Sequence, residues 1–554
     1  MRIKIFAIAI LTFASFTISA SAQSKSNWVS QFLDRYRPAN VAVPESAISQ
    51  QELAAMIRNG QLPLTVNDTI NLVLSNNLDV GLSRLSPLSS EYVLSSLYRP
   101  FEPTLHLSAS VNRDNSPSTI PPQFTGAASI NQLNHAYAIG FAQSLQTGTS
   151  VAVDFVMNRS SSNSRFTAFN PQWSGNMRYS LVQHLLRDYG RSVNNHQIRV
   201  ARNNQSISEL QFEQQVINLV VQAQKTYWDL AFNAEDIKVK QRSMDLAQKT
   251  LSDNQVQVNV GTMAPIDLVQ AESEVASRKE ALVVTTYTQV QSEDQVKKLI
   301  TSQSDPGSVL AHLTPMQAFR GPTPGDVPSV EEAIRIALEN RPELRQLELE
   351  LKNKDIDLEY SKNQLLPSVD FNAFYKQNGI GGTSHDLNGN LIVGGIGDTF
   401  SQLFGYNYTG YQVGINVQIP LSNRAAKADN ARAVTEKRIT EKRIGSTAQQ
   451  IALEVRNALT DVDMNRARID AAQKARELAE KRLASEQKKY DLGASTIRFV
   501  LEEQRNVAQA QTNEIAALVN YTKALVDLDR ATGMTLKKNN IQIDKALNLP
   551  AAAK

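Results

Sequence analysis

The chain has 554 residues, no cysteine, and 57 Lys and Arg against 54 Asp and Glu, for a formal net charge of +3. The balance excludes the basic excess of a nucleic-acid binder, and the lack of cysteine excludes disulfides, thiol nucleophiles, Cys-ligated zinc and iron–sulfur clusters. With 24 Gly, 20 Pro and a mean hydropathy of −0.31 it is neither a collagen-like or disordered chain nor a helical membrane protein.

In chain order, residues 1–22 read as an export signal. Arg2 and Lys4 give a positive start, Ile5 to Ile18 an apolar stretch too short to span a bilayer, and Ala20-Ser21-Ala22 a small-residue cleavage site before Gln23. No cysteine follows it, so no lipid anchor is expected there. No later run is long and apolar enough for a transmembrane helix, so the exported protein is expected to be soluble or a β-barrel. Residues 23–63 are set aside as an N-terminal extension.

Length alone suggests three or four domains, but an internal repeat replaces that expectation with one duplicated unit. Leu64–Val111 and Pro328–Tyr375 align without gaps at an offset of 264, with eight of 48 positions identical, among them Val66/Val330, Ile70/Ile334, Asn76/Asn340 and Pro103/Pro367. Each copy is a helical pattern, a proline, then an alternating strand. Further on the offset falls to 232, pairing Gly261 with Gly493, so the first half carries about 32 extra residues before its glycine. The repeats are placed at 64–302 and 329–533, joined by a linker at 303–328 that holds five of the 20 prolines and followed by a tail at 534–554.

Six segments alternate with period two. In 104–113, Leu105, Leu107, Ala109 and Val111 oppose His106, Ser108, Ser110 and Asn112. Segments 135–145, 151–158, 174–183, 369–375 and 411–419 behave alike. Their lengths approach what a tilted strand needs to cross a bilayer. The turn 146–149 is short, whereas 114–134, 159–173 and 376–408 are long, the asymmetry of an outer-membrane barrel. Phe166, Phe169, Trp173, Phe400, Phe404, Tyr406 and Tyr408 gather near strand ends as an interfacial girdle would; ordinary loop packing is the alternative. Six strands cannot close around a lumen, and open edges are costly in lipid, so several protomers must share one barrel.

Long helices supply most of the mass. Asn194–Val258 runs without Pro or Gly for ~98 Å at 1.5 Å per residue, and 425–492 is similar. Ala448, Ile451, Val455, Ala458 and Val462 form a heptad seam, echoed by Ile515, Leu518, Tyr521, Leu525 and Leu528. These stripes indicate architecture rather than chemistry.

This combination resembles the TolC-like outer-membrane efflux family. The resemblance is carried by Val330-Glu331-Glu332-Ala333-Ile334-Arg335-Ile336-Ala337-Leu338-Glu339-Asn340-Arg341-Pro342-Glu343-Leu344, by Leu366-Pro367-Ser368, by Leu185-Leu186-Arg187-Asp188-Tyr189-Gly190-Arg191, and by Tyr227-Trp228-Asp229-Leu230 with the two Gly-centred turns. It covers about residues 64–533. It implies a mixed α and β membrane protein in which long antiparallel coiled-coil helices form a periplasmic α-barrel and strands form a shared trimeric transmembrane β-barrel. It further implies a homotrimeric, passive, non-enzymatic duct without cofactor or metal, set in outer-membrane lipid. The expected partners are a periplasmic adaptor and an inner-membrane transporter. Gate positions carry over as Asp267 and Gln270 after the first tip glycine and Phe499 and Glu502 after the second; two of the four are not acidic. Arg498 is a candidate latch toward Asp267 or Glu502. Val260-Gly261-Thr262 and Leu492-Gly493-Ala494 match the adaptor-docking turns, and a left-handed helix cap explains their glycines equally well. The hairpin 135–158 departs from the family's four strands per protomer. It suggests six, and 18 in a trimer, unless it folds outside the barrel wall.

No G-K-[ST], H-E-x-x-H or G-x-S-x-G motif occurs. The six histidines show no ligand spacing, and Gly394-Gly395-Ile396-Gly397 is read as a loop that opens no helix. A secreted coiled-coil structural protein or adhesin is the second reading, and it leaves the lipid-facing alternation unexplained. An exported hydrolase is the third, and it lacks a catalytic constellation.

Overall fold

The computed structural model describes residues 33–38, 56–119, 121–125, 128–301, 310–323, 325, 327–385 and 390–543. The expected signal at 1–22, most of the extension and the end of the tail lie outside the described residues. Residues 33–38 belong to a small separate unit, in which Asp34 and Arg37 pair at 2.8 Å. Everything below concerns the unit spanning Ser46–Ala546.

The first half runs β1 (Gln61–Leu64), α1 (Val66–Asn76), α2 (Leu78–Ser96), β2 (Thr104–Pro117), β3 (Ser129–Ser144), β4 (Thr149–Ser162), β5 (Gln172–His184), α3 (His196–Asn259) and α4 (Pro265–Ile300). The second runs β6 (His312–Pro315), α5 (Val330–Asn340), α6 (Pro342–Asn363), β7 (Ser368–Gly382), α7 (Ile396–Phe404), β8 (Tyr408–Gln418), α8 (Arg424–Asp491), α9 (Ile497–Ala531) and the short α10 (Thr535–Lys538). The halves obey one local code. Thr65 caps α1, its Oγ1 accepting from the Asp68 N–H at 3.2 Å, and Ser329 caps α5, its Oγ accepting from the Glu332 N–H at 3.3 Å. The two helices begin and end at equivalent positions of the repeat, and β2 and β7 start at Thr104 and Ser368, also equivalent.

All six alternating segments are strands of a single antiparallel sheet, in the order β8-β7-β5-β4-β3-β2. The hairpin β3–β4, whose place the sequence left open, is therefore inserted in the sheet between β2 and β5. Strands project beyond the apolar stretches, β2 to Pro117, β3 from Ser129 and β4 to Ser162, because polar residues there still complete the ladders. The loops at that end are correspondingly shorter than the alternation alone indicates. Both edge strands are exposed, β2 along all 14 residues. The short turn lies at the opposite end, against the junction with the helices: Gly190 N–H donates to Thr147 O at 3.1 Å and Asn195 Nδ2 to Gln146 Oε1 at 3.0 Å.

Beneath the sheet, α2, α3, α6 and α8 pack side by side in that order. The strands they feed or receive, β2, β5, β7 and β8, follow the same lateral order. The second-half core joins α5, α6, α8 and α9 around Ile451, Val455, Val462, Ala517, Tyr521 and Leu528, all at most 2% exposed. Burying each large side chain contributes about 1.5–3 kcal/mol. On α8 the expected seam is the buried one. On α9 the innermost positions are instead Ala517, Tyr521, Ala524 and Leu528, with Leu518 and Leu525 flanking. That helix is also covered by α3, so its buried face is wider than a two-helix seam.

Three boundaries differ from the sequence reading. His312–Pro315, inside the expected linker, pairs in parallel with Gln61–Leu64, at the end of the expected extension. Tyr227 holds this pair: its hydroxyl donates to Leu64 O at 3.1 Å and accepts from the Gln317 N–H at 3.2 Å. The tail begins as part of the body, since Leu536 of α10 is buried and Asn539 accepts from Gln224. Finally, Gly395 does open a helix. Its N–H donates to Asp398 Oδ2 at 2.7 Å, so the start of α7 already holds its own carboxylate and offers no phosphate cradle. Phe400 and Phe404 lie on this helix, and Phe400 stacks on Phe155 of the sheet's apolar face at 6.2 Å.

Candidate functional site

The expected site residues cluster where the four long helices turn, at the end farthest along α3 and α8 from the sheet. Each turn is built from a left-handed glycine. Gly261 has φ +80° and Gly493 φ +74°, a conformation that costs an L side chain but not glycine. The amides that follow return to the helix: Thr262 N–H to Gln257 O at 2.9 Å, and Ala494 N–H to Lys489 O at 2.8 Å. This 6→1 bond is the Schellman pattern, which satisfies carbonyls a helix end leaves open. Val260 and Leu492, the last residues before these glycines, are 72% and 84% exposed. The turns thus present apolar side chains to solvent, flanked by exposed Thr262 and Ala494.

A small apolar cluster of Ile497, Val500 and Leu501, with Met263, Leu483 and Tyr490 against it, joins the two turns. Tyr490 hydroxyl donates to Gln257 Oε1 at 3.1 Å, tying α8 to α3. Burial pushes the Tyr490 phenol up from its ordinary value; the Gln257 hydrogen bond opposes this in part, and the carboxylates of Asp267 and Asp491 add smaller upward pushes.

Asp267 and Gln270 lie in the first turns of α4, and Phe499 and Glu502 in the first turns of α9, at equal distances past the two glycines. Arg498, Phe499 and Glu502 point away from the cluster and are exposed, as is Gln270, while Asp267 is half-buried. Within one chain Arg498 pairs with neither Asp267 nor Glu502. Its guanidinium lies 5.7 Å from the centroid of the adjacent Phe499 ring instead. The ion pair that crosses between hairpins nearest the turns is one the sequence reading missed. Glu274 of α4 receives Arg505 of α9 at 2.9 Å and Arg278 of its own helix at 2.5 Å, and Glu274 is only 9% exposed. Its signal was height: Glu274 and Arg505 lie 13 and 12 residues past their glycines, hence level on two parallel helices.

Above this pair, α3 and α9 are linked by polar groups. Gln504 donates to Thr250 at 3.3 Å, Thr512 to Asp236 at 2.7 Å, and Lys225 pairs with Asp527 at 2.7 Å. Among the described residues no group of His, Asp and Glu could hold a metal ion, and no helix is long and apolar enough to cross a membrane. The arrangement offers a helical body, a polar seam and an exposed turn pair.

Residues 333–534 match the family of outer membrane efflux proteins. Nodulation protein T of Rhizobium leguminosarum bv. trifolii is 22% identical over 337 residues, which cover 59% of this chain and 64% of that relative, so the chain spans slightly less than two thirds of the relative's length. Among solved structures, the CmeC outer membrane channel of Campylobacter jejuni superposes with a TM-score of 0.60 at 17% identity, covering 92% of this chain and 98% of that one. The open-state MtrE outer membrane channel of Neisseria gonorrhoeae gives 0.58 at 16% identity, over 85% and 89% of the two chains. At these identities the structural likeness is one of fold.

Proposed function

We propose, from the premise that this chain belongs to the TolC-like outer membrane efflux proteins, that it is the outer-membrane duct of a tripartite efflux or type I secretion assembly. The observation that carries this reading is the sheet. Its apolar face exposes Leu105, Leu107, Ile139, Tyr179, Val413 and Ile415, and both of its edges are unpaired, on a chain whose helices, among the described residues, supply no membrane span. Lipid satisfies the apolar face, and neighbouring protomers satisfy the edges by closing a barrel.

In this reading residues 1–22 direct export. The repeats 64–302 and 329–533 each contribute to a barrel and to a helical tunnel, and three copies complete both. The long helices reach into the periplasm. The turns Val260-Gly261-Thr262 and Leu492-Gly493-Ala494 meet a periplasmic adaptor, which connects an inner-membrane transporter to the duct. Asp267, Gln270, Phe499 and Glu502 line the narrowest ring, where carboxylates favour cations and Phe499 narrows the bore by apolar contact. Transport through the duct is passive and needs no cofactor.

The test is to purify the protein from membranes in detergent and record single-channel currents in a planar bilayer. A trimer that conducts is expected; a water-soluble monomer without conductance overturns the reading. Asp267→Ala and Glu502→Ala are expected to weaken block by multivalent cations, and unchanged traces would remove these residues from the gate.

A further inference from the structure

We propose that the polar face of the sheet carries a charge-selective belt, built from His106, Asp154, Arg178 and Lys376, that binds multivalent anions in the barrel bore. The proposal rests on the duct reading above. The strand register places His106, Gly140, Asp154, Arg178, Lys376 and Gly410 directly across from one another on six successive strands. Side chains opposed in this way share one face. The row therefore crosses the whole sheet at a single height.

The neighbouring rows on that face, from Thr104 to Gln412 on one side and from Ser108 to Tyr408 on the other, contain no charged residue. Charge is thus concentrated at this level, set apart from the His184–Asp370 pair three rows nearer the helices and from Asp114 near the loops.

The two glycines give the charged groups their positions. A Cβ on Gly140 would fall 1.8 Å from His106 Cε1 and 2.6 Å from Asp154 Oδ1, so only glycine lets the histidine reach across β3 to the carboxylate, at 3.7 Å. At the other end Lys376 lies over Gly410, its Cε 3.1 Å from where a Cβ would be. Arg178 is held between them with its guanidinium 4.2 Å from the centroid of the Phe374 ring, on the same face. Among the described residues neither Arg178 nor Lys376 makes an ion pair, whereas Asp154 is engaged by His106.

The row therefore presents two adjacent cations beside one carboxylate, which His106 approaches to 3.7 Å. Inside a low-dielectric wall such a ring focuses potential and favours anions, and the planar guanidinium adds paired donors suited to phosphate or carboxylate oxygens.

Single-channel block in planar bilayers, with tripolyphosphate added only on the side of the strand loops, tests the belt without crossing the helical tip. Arg178→Gln and Lys376→Gln are each expected to raise the half-blocking concentration about fivefold, the effect of one unit charge at ~4 Å in water, and Asp154→Asn to lower it by a similar factor. All three side chains lie on the open face of the sheet, and potassium conductance checks that each variant still forms a channel. An R178Q/K376Q protein that conducts but is blocked at the parent's concentration overturns the belt alone. A parent protein with no conductance removes the duct reading, and the belt with it.

Discussion

Helix α9 packs against its hairpin partner α8 and against the other hairpin, α3 and α4, and treats the two differently. Against α8 it buries Ala517, Tyr521, Ala524 and Leu528 in a dry seam with Ile451, Val455 and Val462. Against α3 and α4 it is bridged by Gln504–Thr250, Thr512–Asp236 and Arg505–Glu274. Apolar packing is lost as a block when two helices separate, because water does not replace it. Polar bridges exchange for water at a net cost of about 0.5–1.5 kcal/mol each. Within a hairpin the helices therefore move together, and the contact between hairpins, where these bridges lie beside the small apolar cluster at Met263, is the one more able to part near the turns.

Substitutions can break this contrast. Tyr521→Ala is expected to have the largest effect, about 3–5 kcal/mol, as for other large aromatic truncations in a close-packed core. Chemical denaturation in detergent should show it as a lowered midpoint, and a change under about 1 kcal/mol would mean that the dry seam is not what holds the pair. Glu274→Ala comes next. It leaves Arg278, only 13% exposed, without its partner, while Arg505 is 60% exposed and largely solvated. The expected cost is therefore modest, about 1–2 kcal/mol, less than for a fully buried pair. The tip should loosen, giving larger single-channel currents, with a smaller fall in the denaturation midpoint than Tyr521→Ala gives. Currents identical to the parent's would show that this pair does not restrain the tip. Thr512→Val should cost about 1 kcal/mol and shift the currents in the same direction, but less.

The smallest effect concerns pH. The phenol of Tyr490 is raised in the folded protein, so its contribution is complete below the ordinary tyrosine value near 10 and is lost as pH rises through the elevated one. A difference absorbance titration of the parent against Tyr490→Phe should isolate one phenol ionising above the bulk of the tyrosines. A difference midpoint at or below 10 would contradict the buried setting.

Much of this was legible in the chain itself. Period-two alternation located all six strands, because a side chain's face in a sheet follows from position parity alone. The two tip glycines were visible as breaks in very long helical patterns. Short elements were not. Gln61–Leu64 and His312–Pro315 are four residues each, and they pair across more than 200 residues of chain, held through the Tyr227 hydroxyl. The start of α7 was masked by a run of glycines that reads as loop. At the tip, Arg498 is matched with Asp267 or Glu502 because all three follow the tip glycines, whereas the ion pair nearest the turns links α4 to α9, between Glu274 and Arg505, and depends on how two hairpins align.

The inserted hairpin β3–β4 also settles a question of width. Strands spaced ~4.8 Å apart and tilted ~40° each occupy ~6 Å of perimeter, so six cover roughly 37 Å and four only about 25 Å. The four helices beneath, α2, α3, α6 and α8, at 8–10 Å apiece, need about 32–40 Å. Two extra strands bring the sheet to the breadth of the helical layer that carries it. Sheet and helical layer then meet at nearly equal breadth, with no shoulder at the joint.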